Sequence, residues 1–217
     1  MEPSGVRALY PFLYTDGGDL DDVLGDLVKS TVAKAEEIVR LRRDVARMYA
    51  DRLAACASEM AERFAAGGRL FAFGNGGSST DAQDVATVFL YPPGGRPLPA
   101  LSLTSDVAVV TALSNDIGFD VVFARQLATF GRPGDIALGL STSGGSANVV
   151  LAFEEAARRG MLTVGLAGSD GGRLADLEVL DHLFIVPSSS VHRIQEAQTT
   201  VYHVLWELIQ RGMEATK

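Results

Sequence analysis

Four hydroxyl side chains and two glycines stand in a row, Ser141, Thr142, Ser143, Gly144, Gly145 and Ser146, between an apolar run and a helical pattern in DIALGLSTSGGSANVV. A buried strand that breaks into such a turn and then opens a helix aims unpaired backbone N–H groups and the positive end of the helix dipole at whatever lies above it. Hydroxyls add donors, and glycines let an anion approach the backbone closely. The loop has no Lys or Arg and no GxxxxGK[ST] pattern, which speaks against a nucleotide P-loop and for a phosphomonoester held by neutral donors. A plain capped turn uses the same residue types.

Other polar residues cluster in the same way. GNGGS places Asn75, Gly76, Gly77 and Ser78 after an apolar run. It matches a dinucleotide fingerprint only loosely, because GxGxxG is not completed in the right place and no acid at the end of the second strand is available for a ribose. Asn75 and Ser78 read instead as donors to sugar hydroxyls or phosphate. Asn115 and Asp116 are expected on a loop after a short helix, where Asp116 either caps the next segment or accepts sugar hydroxyls. In the last helical stretch Gln195 and His203 lie eight residues apart, about 80° around a helix axis and so on broadly one side. Glu196 adjoins Gln195, and His192 opens that stretch. His203 fits either a packed helix residue or a proton carrier, and His182, inside a strand, reads as structural.

The elements that must position these residues follow from the apolar periodicity. Residues 19–66 are helical in pattern and change apolar face near residue 45, which predicts two helices with little sheet to cover, suited to packing against another subunit. After Gly67 and Gly68, short apolar runs alternate with helical stretches, the pattern of a parallel sheet covered on both faces. Strands are expected over 70–73, 100–103, 136–140, 162–167 and 182–186, and helices over 78–90, 106–113, 121–129, 146–159 and 191–210. That is an α/β chain, a three-layer αβα sandwich on a five-stranded parallel sheet, with residues 1–66 as a helical region and 67–217 as one structural unit. In such sheets ligands collect at the carboxyl ends of strands. The loops beginning at Gly74, Thr104, Ser141 and Gly168 all fall there.

Composition bounds the rest. The 217 residues are 47% hydrophobic and 21% charged, a globular profile. A net charge of −8 offers no footprint for nucleic acid or an anionic membrane surface. Cys56 alone allows no internal disulfide. The N-terminus lacks the order of a signal peptide, and no run of about eighteen apolar residues occurs, so a cytoplasmic location is expected.

Taken in order and spacing, GNGGSSTDAQ, SNDIGF, GLSTSGGSANVV, GSDGG and RIQEAQTTVYH resemble the sugar isomerase (SIS) domain, and within it the phosphoheptose isomerase group. The resemblance covers residues 55–209. It implies a flavodoxin-like SIS fold, a homotetramer with N-terminal helices between subunits, and an aldose–ketose isomerase that acts on sedoheptulose 7-phosphate through an enediol. By position it puts the phosphate cradle on Ser141, Thr142, Ser143 and Ser146, sugar contacts on Asn75 to Ser78, the loop acid on Asp116, and the polar pair of the last helix on Gln195 and His203. In that family the histidine and a glutamate share the acid–base work, and the histidine and glutamine, with a second histidine and the glutamate, can hold zinc.

The chain departs from that pattern where the family's helix usually reads HFAEE. Here the usual histidine is Asp84 and the usual glutamate is Val88, which can neither take a proton nor bind a metal. His192 stands where an acid is usual, and the usual arginine is missing near YPPGG. Three expectations follow. The chain isomerises with His203 and a substitute base, Asp84 or Glu196, around a possible zinc held by Asp84, Gln195 and His203. Alternatively it acts on a different phosphosugar, or it binds a phosphosugar without turnover, as do regulatory and partner-binding relatives that include a DnaA-associating subgroup.

Overall fold

The structure is a computed structural model that describes residues 20–215, with side chains described for 24–214. The chain divides into two compact units, one ending at Arg40 and one beginning at Leu41. The first helix, α1 (Leu20–Ala65), is unbroken, which corrects the expectation of two helices. It contains no proline and only Gly25 as a weak point, so a change of apolar face along its length needs no break. In the first unit Leu24, Leu27, Val28, Val32 and Val39 are exposed.

In the second unit five strands form one parallel sheet: β1 (Leu70–Gly74), β2 (Ala100–Ser102), β3 (Ile136–Ser141), β4 (Leu162–Gly168) and β5 (His182–Val186), in the order β2-β1-β3-β4-β5. Every residue of β1, β3 and β4 is buried, as a doubly covered parallel sheet requires, and that is why these strands read as continuous apolar runs. Between them run α2 (Gly77–Leu90), α3 (Val107–Asp116), a 3₁₀ turn (Phe119–Val121), α4 (Val122–Phe130), α5 (Ala147–Arg158), the short α6 (Gly172–Ala175) and the final α7 (Val191–Ala215).

One core gathers Phe71 and Phe73 of β1 with Phe123 and Leu127 of α4 and Val149 and Phe153 of α5. The Phe73 ring lies 5.5 Å from that of Phe123 and 5.3 Å from that of Phe153, and each such side chain contributes about 1.5–3 kcal/mol on burial. Residues 41–65 of α1 also cover sheet, contrary to expectation. The Phe64 ring stacks at 5.6 Å on Phe89 of α2, Tyr49 meets Phe184 edge-on at 5.5 Å, and the Arg52 guanidinium donates to the Leu183 carbonyl at 3.0 Å. His182 is structural as expected, with Nε2 3.3 Å from Glu59 of α1.

The strand order reverses direction between β1 and β3. In open α/β sheets a crevice opens at the carboxyl ends of the two strands flanking such a switch, and the GNGGS and STSGGS turns leave from those two ends.

Candidate functional site

At the end of β1 the chain turns through Asn75 and Gly76 into α2. Gly76 has φ +56°, a left-handed conformation that costs glycine little. A cleft of about 210 Å³ opens beside this turn, lined by Asn75, Gly76 and Ser79 together with Thr104, Val110 and Phe119. Asn75 is held by a reciprocal pair of amide bonds: its Nδ2–H donates to Asn148 Oδ1 at 2.8 Å, and Asn148 Nδ2–H returns the bond at 2.9 Å. Asn148 is only 2% exposed. Ser78, expected as a donor, is buried in the first turn of α2, and it is Ser79 and Thr104 that border the cleft.

At the end of β3, Ser141 is buried and its hydroxyl lies 3.2 Å from that of Ser146, the residue before α5. Ser143 is exposed and its Oγ accepts from the Gly145 N–H at 3.2 Å. Ser146 makes no side-chain cap bond to the helix; the Val149 and Val150 N–H groups close on its carbonyl, which leaves those of Ala147 and Asn148 without a partner in the helix. The bend is set by Gly144, with φ +64°, where an added Cβ would stand 1.8 Å from the Gly171 carbonyl oxygen. The STSGGS and GSDGG turns therefore meet backbone to backbone.

Asp116 is not on a loop. It is the last residue of α3, exposed, with the Asn115 amide on its Oδ1 at 2.8 Å. The helix runs on past residue 113 because its stop is Gly118, φ +143°, whose N–H and that of Ile117 both close on the Leu113 carbonyl. Asp116 does not cap the following turn, whose N-cap is Gly118, and it is not among the residues lining the cleft. The acid that does cap is Asp106, which accepts from the Val109 N–H at 3.1 Å at the start of α3.

On the other flank, α7 lies along α2. Gln195 packs against Gly77, where an added Cβ would come within 2.4 Å of Gln195 Nε2. That amide donates to Asp81 at 3.0 Å. One turn further along α2, Asp84 Oδ2 accepts the Tyr202 phenol at 2.6 Å and lies 3.5 Å from His203 Nε2. Burial pushes the Asp81 carboxyl above the usual carboxylate range, the Gln195 bond works against that, and the Asp84 charge adds to it. Burial, and then the bond to Asp84, push the Tyr202 phenol up. The structure thus brings Asp84 and His203 together and gives Gln195 to Asp81. Glu196 is paired with Arg193 on its own helix, which takes it away from this group.

The same geometry tests the expected zinc ligands. Asp84 and His203 supply two donors, the Gln195 amide nitrogen faces Asp81, and Val88 supplies none. Among the described residues no group of three or more His, Cys, Asp or Glu side chains is placed to hold a metal ion. Zinc sites take three or four protein ligands of these types, and the residues present do not fit one. A second cleft, about 410 Å³ beside β2, is lined by Leu101, Val109, Leu113 and Phe130. Two of its polar residues are engaged elsewhere, Asp106 in the α3 cap and the Gln126 amide on the Leu103 and Val122 carbonyls.

Asp81 and Tyr202 escape a sequence reading because their importance lies in contacts between helices, and Asn148 because its partner lies on the turn after β1. The only linear trace is that Asp81 and Asp84 lie three apart on one helix face.

Comparison with known proteins gives the family and the fold. A family model described as the SIS domain matches residues 35–168. A phosphoheptose isomerase of Roseiflexus sp. (strain RS-1) is 42% identical over 184 residues, 84% of this chain and 92% of that protein. Solved phosphoheptose isomerase structures from Neisseria gonorrhoeae (TM-score 0.79, 35% identity, 85% of this chain and 99% of that one) and Francisella tularensis (0.80, 32%, 85% and 98%) share the fold.

Proposed function

The chain belongs to the SIS domain family, in its phosphoheptose isomerase group, and from that premise we propose that it interconverts sedoheptulose 7-phosphate and an aldoheptose 7-phosphate through an enediol. The observation that carries this reading is the pairing of Asp84 with His203 at 3.5 Å, a carboxylate beside an imidazole in a chain that has lost the usual glutamate. The Ser141, Thr142, Ser143 and Ser146 turn and the α5 N-terminus hold the phosphate, and Asn75 and Gly76, with Ser79 and Thr104 beside them, face the sugar hydroxyls. Asp84 takes the proton from the carbon next to the carbonyl while His203 gives one to the carbonyl oxygen. Reversal at the neighbouring carbon and oxygen returns both protons, so no redox partner or co-reactant is consumed.

We assign no step to zinc. The exposed apolar side chains of the first unit, Leu24, Leu27, Val28 and Val32, and the absence of any buried residue from α3, support assembly into a homotetramer. A mass in solution equal to the 23.0 kDa chain overturns that. Among the described residues no helix is long and apolar enough to cross a membrane. The cytoplasm is the proposed location, supported by the single buried cysteine.

The test is isotope exchange. Incubation with sedoheptulose 7-phosphate in deuterated water is expected to place deuterium on the carbon adjacent to the carbonyl. No exchange with any heptulose, hexulose or pentulose phosphate overturns the isomerase, and thermal stabilisation by the same ligands without exchange identifies a binding protein instead.

A further inference from the structure

We infer that Tyr202 is the positioning residue of the proton-transfer step, acting through Asp84: its buried phenol pins Oδ2 so that Oδ1 is left to meet the substrate. The inference rests on the isomerase reading above. Asp84 sits on an exposed stretch of α2 with its side chain 48% accessible, and a carboxylate there turns almost freely about its last torsion. A general base needs its oxygen held within a narrow range of the hydrogen it removes. Tyr202 supplies that restraint from beneath.

The phenol is 1% exposed and reaches Oδ2 at 2.6 Å, the length of a charge-assisted O–H···O⁻ bond. It also lies 3.4 Å from Thr199 Oγ1, and its ring centre is 5.1 Å from that of His203. His203 Nε2 approaches the same oxygen, Oδ2. Among the described residues nothing donates to Oδ1. Tyr202 therefore holds one oxygen, with His203 beside it, and the other is left without a protein donor.

Replacing Tyr202 by Phe removes only the hydroxyl. The expected result is a kcat lower by about 10–100-fold with KM changed by less than about twofold, because the phosphate grip is untouched while the base is misplaced. In the Asp84→Asn background, exchange followed over hours is expected to fall no further when Tyr202→Phe is added, the non-additivity of two residues acting as one unit. Thr199→Val, which deletes the other contact of the hydroxyl, reports any general damage to α7 and is expected to leave kcat within about twofold. A Tyr202→Phe enzyme with wild-type kcat overturns the inference while leaving the isomerase intact. So does a loss that multiplies with that of Asp84→Asn, or one that Thr199→Val reproduces. A wild-type protein that exchanges no deuterium overturns both.

Discussion

Asn75 and Asn148 exchange amide hydrogen bonds at 2.8 and 2.9 Å, tying the turn after β1 to the first turn of α5 across the point where strand order reverses. Each satisfies the other's donor and acceptor, so the turn on one side of the crevice is fixed by the helix on the other. Asn148→Leu takes away the partners of both the donor and the acceptor of the Asn75 amide. We expect a loss of about 1–3 kcal/mol, read as a lower thermal midpoint, together with a raised KM for the sugar phosphate. An unchanged midpoint and KM would show the pair to be ornamental.

The hydroxyls of the STSGGS turn are expected to carry phosphate affinity. A hydrogen bond to a charged group contributes about 1.5–3 kcal/mol, so Ser143→Ala and Ser146→Ala each raise KM by about 10–100-fold. The double variant should lose the thermal shift produced by sugar phosphates. Retention of that shift in the double variant sinks the cradle.

Gly144→Ala forces a Cβ against the Gly171 carbonyl and asks alanine for φ +64°. Left-handed backbone alone costs a non-glycine residue about 1–2 kcal/mol, and the collision adds to it. The variant is expected to melt lower than wild type by more than Gly145→Ala, whose added Cβ meets nothing closer than 3.8 Å. Equal midpoints contradict the close approach of the two turns.

Asp81 gives a pH signature. Its carboxyl is raised by burial, so the native state binds that proton more tightly than the unfolded chain does. The penalty for ionising it is present at neutral pH, fades as pH falls through the raised native value, and is gone below the ordinary carboxylate value of about 4. Asp81→Asn keeps an acceptor for Gln195 and removes the charge. Its thermal midpoint should exceed that of wild type at pH 7.5 and converge with it toward pH 4. A gap that widens in acid has the wrong sign.

Metal analysis tests the donor set. With Val88 in place of a ligand and the Gln195 amide nitrogen on Asp81, the purified protein is expected to carry zinc well below one equivalent, and a chelator should leave the thermal midpoint unmoved. One tightly held zinc per chain would mean that Gln195 abandons Asp81 and turns its oxygen inward.

Much of the architecture is legible in the residues because a parallel sheet covered on both faces writes itself as uninterrupted apolar runs. β5 falls on the expected residues 182–186, and the other strands shift by one residue at one end. What misleads is punctuation. The change of apolar face near residue 45 suggests a break that no proline enforces, and Asn115 and Asp116 look like turn residues although Gly118 is the true stop. The STSGGS turn is readable from its composition. The Asp84–Tyr202–His203 group is not, since residue 84 meets residues 202 and 203 only after the sheet has brought α2 and α7 side by side.

The abutment of Gly144 on Gly171 has a practical corollary for anyone reshaping this molecule toward another sugar. Two main chains that touch leave no slack, so libraries spread over both glycine turns would chiefly yield misfolded clones. Diversity is better spent on Val107, Val110 and Phe119, along the rim of the cleft, where side chains of different bulk can be accommodated without disturbing the anchor beneath.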